Sequence, residues 1–503
     1  LKKIMSLLLI LILLIPAGII AEEEKPIKVQ LNGSYIDFAV PPTMINDRLM
    51  VPFRTIAEKI GVTVNFDSEK NQVIATKEER TITFTIDEPS VEIKDKDDVK
   101  TITMDAPPTI INDTTLVPLR FIAEATGIQV GWNRYQNTAI LIDYSIFVKR
   151  IKEESPNLYK TIGLMKLDNN CRSAVTQNYE VAAESKSFGI NLKGDSKINA
   201  DIKQDGKRLS ADVTMTNSGL ANLYMFIIQQ EQCYYADETD YPTPDFDQPI
   251  NCKLMLDENE AYFKSDFILE MILNNYYYER LDKVNKDGQK NKWIKSENLN
   301  FSLADYDKMS VDEKVDSLIK GLSCYRFPEF YDLFDPLYYL RYAQNYYWQN
   351  TIYSYNKLDT VTTMLAKLFG DDKLVLTDNA DGSTQLSYAI DEKTVNTILL
   401  DVISKIEDGK YKEEITKKIN QLFEVLHFNI TASVSLKEGI ILNSVMDGGL
   451  KMDNILNPYK MKIGTIDAKF NMTSTSSEIG EVKITDADYP AGLDILDQEQ
   501  LRN

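Results

Sequence analysis

The chain has 503 residues, with 76 Asp and Glu against 56 Lys and Arg and a formal net charge of −20. That acidic balance argues against a nucleic-acid partner, whose phosphates call for a basic surface. It suits solubility, a cationic partner or loose calcium binding. His427 is the one histidine, so a multi-histidine metal site is excluded and any His-dependent nucleophilic catalysis would rest on that residue alone.

In chain order, residues 1–21 read as an export signal. Lys2 and Lys3 form a basic start, Leu8 to Ile15 an apolar run, and Ala21 a small residue at the expected cut before Glu22. The expected mature protein is secreted or cell-wall associated. No cysteine stands near the cut to carry a lipid, and no later apolar stretch is long enough to span a membrane. An uncleaved signal would instead tether the chain.

Residues 22–143 hold one unit written twice. The stretch from Pro41 to Phe66 aligns with that from Pro107 to Trp132 at a constant offset of 66 residues, with no gap. In each copy a strand (Tyr35–Val40 or Thr101–Met104) is expected to end at a proline pair, Pro41-Pro42 or Pro107-Pro108. Asn46-Asp47 and Asn112-Asp113 predict a turn. Val51-Pro52 and Val117-Pro118 lead into a helix with proline near its first turn. Ile56, Ala57 and Ile60 share a helical face, as do Ile122 and Ala123. Gly61 and Gly127 fit the left-handed cap. Two strands follow, Val62–Phe66 and Gln72–Thr76, or Ile128–Trp132 and Thr138–Ile142. Thr81–Ile86 and Ser90–Ile93 alternate like further strands between the copies.

These motifs resemble the copper amine oxidase N-terminal-like domain of exported Gram-positive proteins. The likeness is carried by Asn46-Asp47, Val51-Pro52-Phe53-Arg54, Ala57-Glu58, Gly61 and Phe66. The second copy carries Asn112-Asp113, Val117-Pro118-Leu119-Arg120, Ala123-Glu124, Gly127 and Trp132. It spans about residues 27–143 and implies an accessory, surface- or wall-associated module without the oxidase core or copper ligands. Arg54 and Arg120 are candidate ligand-binding groups. The alternative pairs them with Glu58 and Glu124, four residues on, or with a strand carbonyl, and that structural reading is favoured. Phe66 and Trp132 follow the alternation of their strands and are expected in the core rather than as sugar platforms.

Residues 144–175 read as a charged linker with some helical content. From 176 to 490 the pattern is an antiparallel sheet with packed helices, so the fold class expected for the whole chain is α+β. Phe188, Ile190 and Leu192 alternate, then Ile198, Ala200 and Ile202, then Leu209 to Met215, with turns at Asp195-Ser196 and Asp205-Gly206. Ser310 and Glu313 form a capping box before Val315, Leu318 and Ile319. Helices are expected over Asp391–Ile406 and Tyr411–Leu426. Strands follow at Phe428–Leu436, Met461–Met472 and Glu481–Ile484, then a tail at 491–503.

The 178–215 meander, Trp293-Ile294 ahead of Ser310, and the span 427–484 resemble secreted bacterial lipoprotein-carrier-like domains. The region departs from them in its Gln229–Cys252 insertion and tyrosine-rich middle. The resemblance implies an open half-barrel with a concave apolar surface able to hold a lipid. The alternative is that helices fill that surface.

Cys171, Cys233, Cys252 and Cys324 allow two disulfides in an exported protein, with three pairings; the plainer reading is one disulfide, Cys233–Cys252, or four buried thiols, and their spacing is not that of a zinc site. Tyr339, Tyr342, Tyr346 and Trp348 fall in a segment crowded with aromatics, suited to an interface or to plain helix packing. The carboxylates of Gly370-Asp371-Asp372 and of Asp237–Asp247 lack the spacing of a calcium loop. No phosphate loop, nucleophile elbow or zinc-protease helix is present.

The expected function is therefore non-catalytic, without cofactor or metal. The N-terminal module would associate with the wall, and the C-terminal domain would bind a hydrophobic or polymeric ligand: a cell-wall polymer, a lipid or an envelope protein. The alternatives are a structural or protein-interaction scaffold and a carboxylate-pair hydrolase.

Overall fold

The computed structural model describes residues 26–77, 79–95, 98–133, 136–166, 170–185, 190–206, 208–217, 248–257, 260–265, 293–296, 303–324, 355–404, 409–456, 462–484 and 495–496. The protein is α+β and forms two compact units; of the described residues, 26–144 and 355–357 belong to the first and the rest to the second.

The first unit runs β1 (Lys28–Leu31), β2 (Ser34–Tyr35), β3 (Thr43–Ile45), β4 (Arg48–Pro52), α1 (Phe53–Lys59), β5 (Thr63–Asp67), β6 (Gln72–Lys77), β7 (Arg80–Thr85), β8 (Ser90–Asp95) and β9 (Asp98–Thr103). It continues with β10 (Thr109–Ile111), β11 (Thr114–Pro118), α2 (Leu119–Thr126), β12 (Gln129–Asn133) and β13 (Thr138–Ile142). The 66-residue offset maps β3–β4–α1–β5–β6 onto β10–β11–α2–β12–β13. The two copies meet at β4 and β11, which pair antiparallel with Val51 opposite Val117 and Met50 opposite Pro118. Equivalent residues thus face each other, so a local two-fold passes through the Val51/Val117 pair.

Local chemistry explains each element. Asn46, Asp47, Asn112 and Asp113 all hold positive φ, between 50° and 59°, which short polar side chains tolerate in a tight hairpin turn. Pro52 caps α1 with φ −55°, and Gly61 and Gly127 close the two helices at φ +74° and +77°. One core holds the unit together. Ile56, Ala57, Ile122 and Ala123 are buried in it, and Phe84 stands edge-on to Phe53 at 5.1 Å and to Phe121 at 6.2 Å. The expected strand Tyr35–Val40 is only Ser34–Tyr35.

The second unit runs α3 (Ser145–Glu154), α4 (Pro156–Leu164), β14 (Asn170–Ser185), β15 (Ile190–Asp205), β16 (Arg208–Asn217), β17 (Ile250–Asp257), β18 (Glu260–Lys264), β19 (Trp293–Ser296), α5 (Leu303–Lys308) and α6 (Val311–Cys324). It continues with α7 (Tyr355–Leu368), β20 (Leu374–Asp378), β21 (Thr384–Asp391), α8 (Glu392–Ser404), α9 (Gly409–Phe423), β22 (Leu426–Lys437), β23 (Ile440–Leu456), β24 (Lys462–Ser477) and β25 (Ile495–Leu496). The strands form an open sheet of the half-barrel kind in the order β20-β21-β22-β23-β24-β14-β15-β16-β17-β18-β19-β25. Two meanders from opposite ends of the unit are joined where β14 runs antiparallel to β24, from Arg172/Ser477 to Glu184/Thr465.

Three expectations are corrected here. Asp195-Ser196 is not a turn: β15 is one continuous strand, with Asp195 opposite Glu180. Glu481–Ile484 is not a strand; its Val482 and Ile484 amides donate to the side chains of Asn170 and Asp205. The Arg54–Glu58 pair does not form, and Arg54 has no ion-pair partner among the described residues. A single exposed pair of this kind is worth only a few tenths of a kcal/mol.

Residues 145–164 are two helices whose buried side chains, Phe147, Ile151, Leu158 and Ile162, belong to the second unit. Arg150 reaches Asp359 at 2.7 Å, and the Ser155 hydroxyl donates to the Ala366 carbonyl at 2.6 Å. The capping box at α6 is formed. The Ser310 amide donates to Glu313 Oε2 at 2.7 Å, and the Glu313 amide donates back to the Ser310 hydroxyl at 3.3 Å.

Candidate functional site

The sheet register builds a candidate surface in the second unit. Because side chains alternate, residues directly opposite one another share a face. Ala432, Met446, Met472, Gln177, Ile198 and Met215 form one transverse row across β22-β23-β24-β14-β15-β16. A neighbouring row on the same face is Ile430, Gly448, Phe470 and Tyr179, and another is Val434, Ser444, Ser474, Val175, Ala200 and Val213. The opposite face carries Thr431, Asp447, Asn471, Asn178 and Lys197.

The apolar face is only half-buried: Ile430, Ala432, Met446, Phe470, Met472, Ile198 and Met215 all retain solvent exposure, and Leu450 is 37% exposed. Described helices pack on the sheet mainly at β20–β22, where α8 and α9 bury Ile403, Ile415 and Ile419 between them. Gly448 lets the Phe470 ring lie across the neighbouring strand, in the space a side chain would take.

On the polar face Arg172 clamps the junction of the two meanders. Its guanidinium makes two 2.7 Å hydrogen bonds to Asp201 and one of 3.1 Å to Glu478. The hydrogen bonds from Arg172 hold the Asp201 carboxyl below the usual carboxylate range. Donating to Asp201 and then to Glu478 raises Arg172 in turn. The group ties strands together rather than presenting a free charge. Near α4, the hydrogen bond from the Tyr159 hydroxyl to Asp312, 2.6 Å, pushes that phenol up to about 12.

The residues singled out from sequence fare differently. Arg54 and Arg120 are exposed on α1 and α2, and the Glu124 side chain lies outside the described residues. Tyr339, Tyr342, Tyr346 and Trp348 also lie outside them, as do the export segment 1–21 and Asp237–Asp247. Cys171 is buried and Cys252 half-buried, both as free thiols; Cys233 and the Cys324 side chain are outside the described residues. Asp371 accepts the Asn157 amide at 3.0 Å and Asp372 pairs with Lys373, which accounts for both carboxylates structurally. His427 sits 3.8 Å from Glu392 and is about half exposed. Among the described residues no group of three or more His, Cys, Asp or Glu gathers as a metal site, and no helix is long and apolar enough to cross a membrane.

Phe66 and Trp132 are a correction. Their strand parity does point them to the core side, since Phe66 lies opposite buried Val73 and Trp132 opposite buried Ala139. But β5 and β12 are edge strands. Phe66 remains 47% exposed and Trp132 46%. Sequence alternation reveals which face a residue takes, not whether a neighbouring strand covers it.

Residues 30–141 match the family model described as Copper amine oxidase N-terminal domain. That span covers the duplicated unit from β1 into β13. Among curated proteins none matches the chain.

Proposed function

We propose that this is a non-catalytic exported protein of the cell envelope. Its first unit associates with the wall, and its second binds a hydrophobic ligand on the apolar face of the long sheet. The observation that carries the reading is the half-buried apolar face itself. Across β22-β23-β24-β14-β15-β16, the transverse row that includes Ala432, Met446, Met472, Ile198 and Met215 keeps solvent exposure. Apolar surface left in water forgoes about 25 cal/mol per Å² of burial, and contiguous patches of this kind mark binding surfaces. An acyl chain laid across the rows would recover that burial without needing polar groups at the site. The match over residues 30–141 supports the accessory role of the first unit.

Purified mature protein extracted under native conditions should carry lipid detectable by mass spectrometry. Met446→Glu and Met472→Glu, cross-strand neighbours at the centre of the face, should abolish that lipid while the protein stays folded. Asp447→Glu on the opposite face should not. A wild-type protein that takes up no lipid, even from added vesicles, or a lipid content unmoved by the charged substitutions, overturns the assignment.

A further inference from the structure

Burial alone asks nothing polar of the apolar sheet face, yet a polar pair stands at its centre. Gln177 is the one polar side chain in the row of Ala432, Met446, Met472, Ile198 and Met215, and Tyr179 lies in the next row beside Phe470. Both are half-buried. They stand two residues apart on β14, so their side chains share the face, and the Tyr179 hydroxyl donates to Gln177 Oε1 at 2.7 Å. On its other side Gln177 Nε2 donates to Met472 Sδ at 3.1 Å, a thioether and hence a weak acceptor. The amide is thus oriented from both ends, while its second N–H has no partner among the described residues.

We infer that Gln177, held by Tyr179 and Met472, is the hydrogen-bond donor to an uncharged carbonyl, so that the face takes an acyl chain joined through an ester or amide rather than a bare hydrocarbon or a free fatty acid. In the open protein, water serves the spare N–H. An apolar chain laid over the row displaces that water, and an amide donor left unsatisfied weakens binding about tenfold. A carbonyl oxygen at that point removes the penalty, and the preset orientation of the amide spares the entropy of fixing it. The charge of the ligand follows from the surroundings of the pair. The three rows that cross the face, from Ile430 to Tyr179, from Ala432 to Met215 and from Val434 to Val213, carry no Lys or Arg, so a carboxylate or phosphate buried among them would lack a counter-ion. Arg172 belongs to the opposite face and is committed to Asp201 and Glu478. A neutral carbonyl meets both conditions: it accepts a hydrogen bond and needs no cation.

This rests on the reading that the face binds a hydrophobic ligand. The test uses the full mature chain, freed of bound lipid on a hydrophobic resin and then offered methyl palmitate, palmitate or hexadecane from cyclodextrin, with the bound probe measured by mass spectrometry. Wild type should bind methyl palmitate more tightly than palmitate. Gln177→Met keeps the length of the side chain but removes the donor; it should weaken methyl palmitate about tenfold and leave hexadecane binding unchanged or stronger, which also shows the variant to be folded. Tyr179→Phe frees the amide and should weaken methyl palmitate alone, by less. A Gln177→Met variant that holds methyl palmitate as well as wild type, or loses methyl palmitate and hexadecane alike, overturns the carbonyl site, as does a wild type that prefers palmitate; each of these leaves the hydrophobic face standing. A wild-type chain that binds none of the three probes overturns both.

Discussion

Gly448→Ala tests the packing of the apolar face directly. A Cβ at Gly448 would overlap the Phe470 ring at Cζ, sit 2.5 Å from its Cε1 and come within 2.9 Å of the Asn429 carbonyl. The ring must swing aside, and forced repacking of this kind costs about 1–3 kcal/mol. Phe470→Ala alone should cost about 1–2 kcal/mol, less than a fully buried phenylalanine, because the ring is half-buried. With the ring gone the added methyl has room. Alanine is then the better strand residue by roughly 0.5 kcal/mol, against a residual squeeze on the Asn429 carbonyl. The double variant should therefore be no less stable than Phe470→Ala, and the coupling energy should be about 1–3 kcal/mol. Urea unfolding of the four proteins, followed by circular dichroism, measures it. Effects that add to within about 0.5 kcal/mol would show that the glycine is not there to seat the ring.

Two further outcomes follow from local geometry. Asp47→Val places a β-branched residue at φ 59° and should cost about 1–2 kcal/mol, whereas Asp47→Gly should be neutral or stabilising; thermal melts of both decide it. Ser310→Ala should cost about 1 kcal/mol by removing the hydroxyl cap of α6. The Glu313 carboxyl is held below its ordinary value of 4.5 by the Ser310 amide first and hydroxyl second. Its folded pKa is thus depressed, so its contribution is fully present above that ordinary value and disappears as pH falls through the lower folded one. The stability gap between wild type and Glu313→Gln should close on acidification through that window. A gap that stays constant down to the acid limit would refute the linkage.

What could be read in advance was whatever depends on near neighbours in sequence. Asn46-Asp47 and Asn112-Asp113 dictate hairpin turns because only a few residue types tolerate their φ, and Gly61 and Gly127 end helices for the same reason. The copy offset then assigns each element of one half from the other. Misreadings arose where distant strands decide. Asp195-Ser196 has turn-forming side chains, yet it continues β15, because β14 supplies a partner opposite both residues and Asp195 lies exposed. The β14–β24 junction and the parallel pairing of β1 with β13 join segments far apart in sequence, with no local signature. The same cause produced the error at Phe66 and Trp132. Their alternation is that of core residues, but β5 and β12 have a neighbour on one side only. An aromatic repeated at an uncovered edge in both copies forgoes part of its burial twice. Duplicated elements share their surroundings, so equivalent positions are left uncovered together, as at Met44 and Ile110 too.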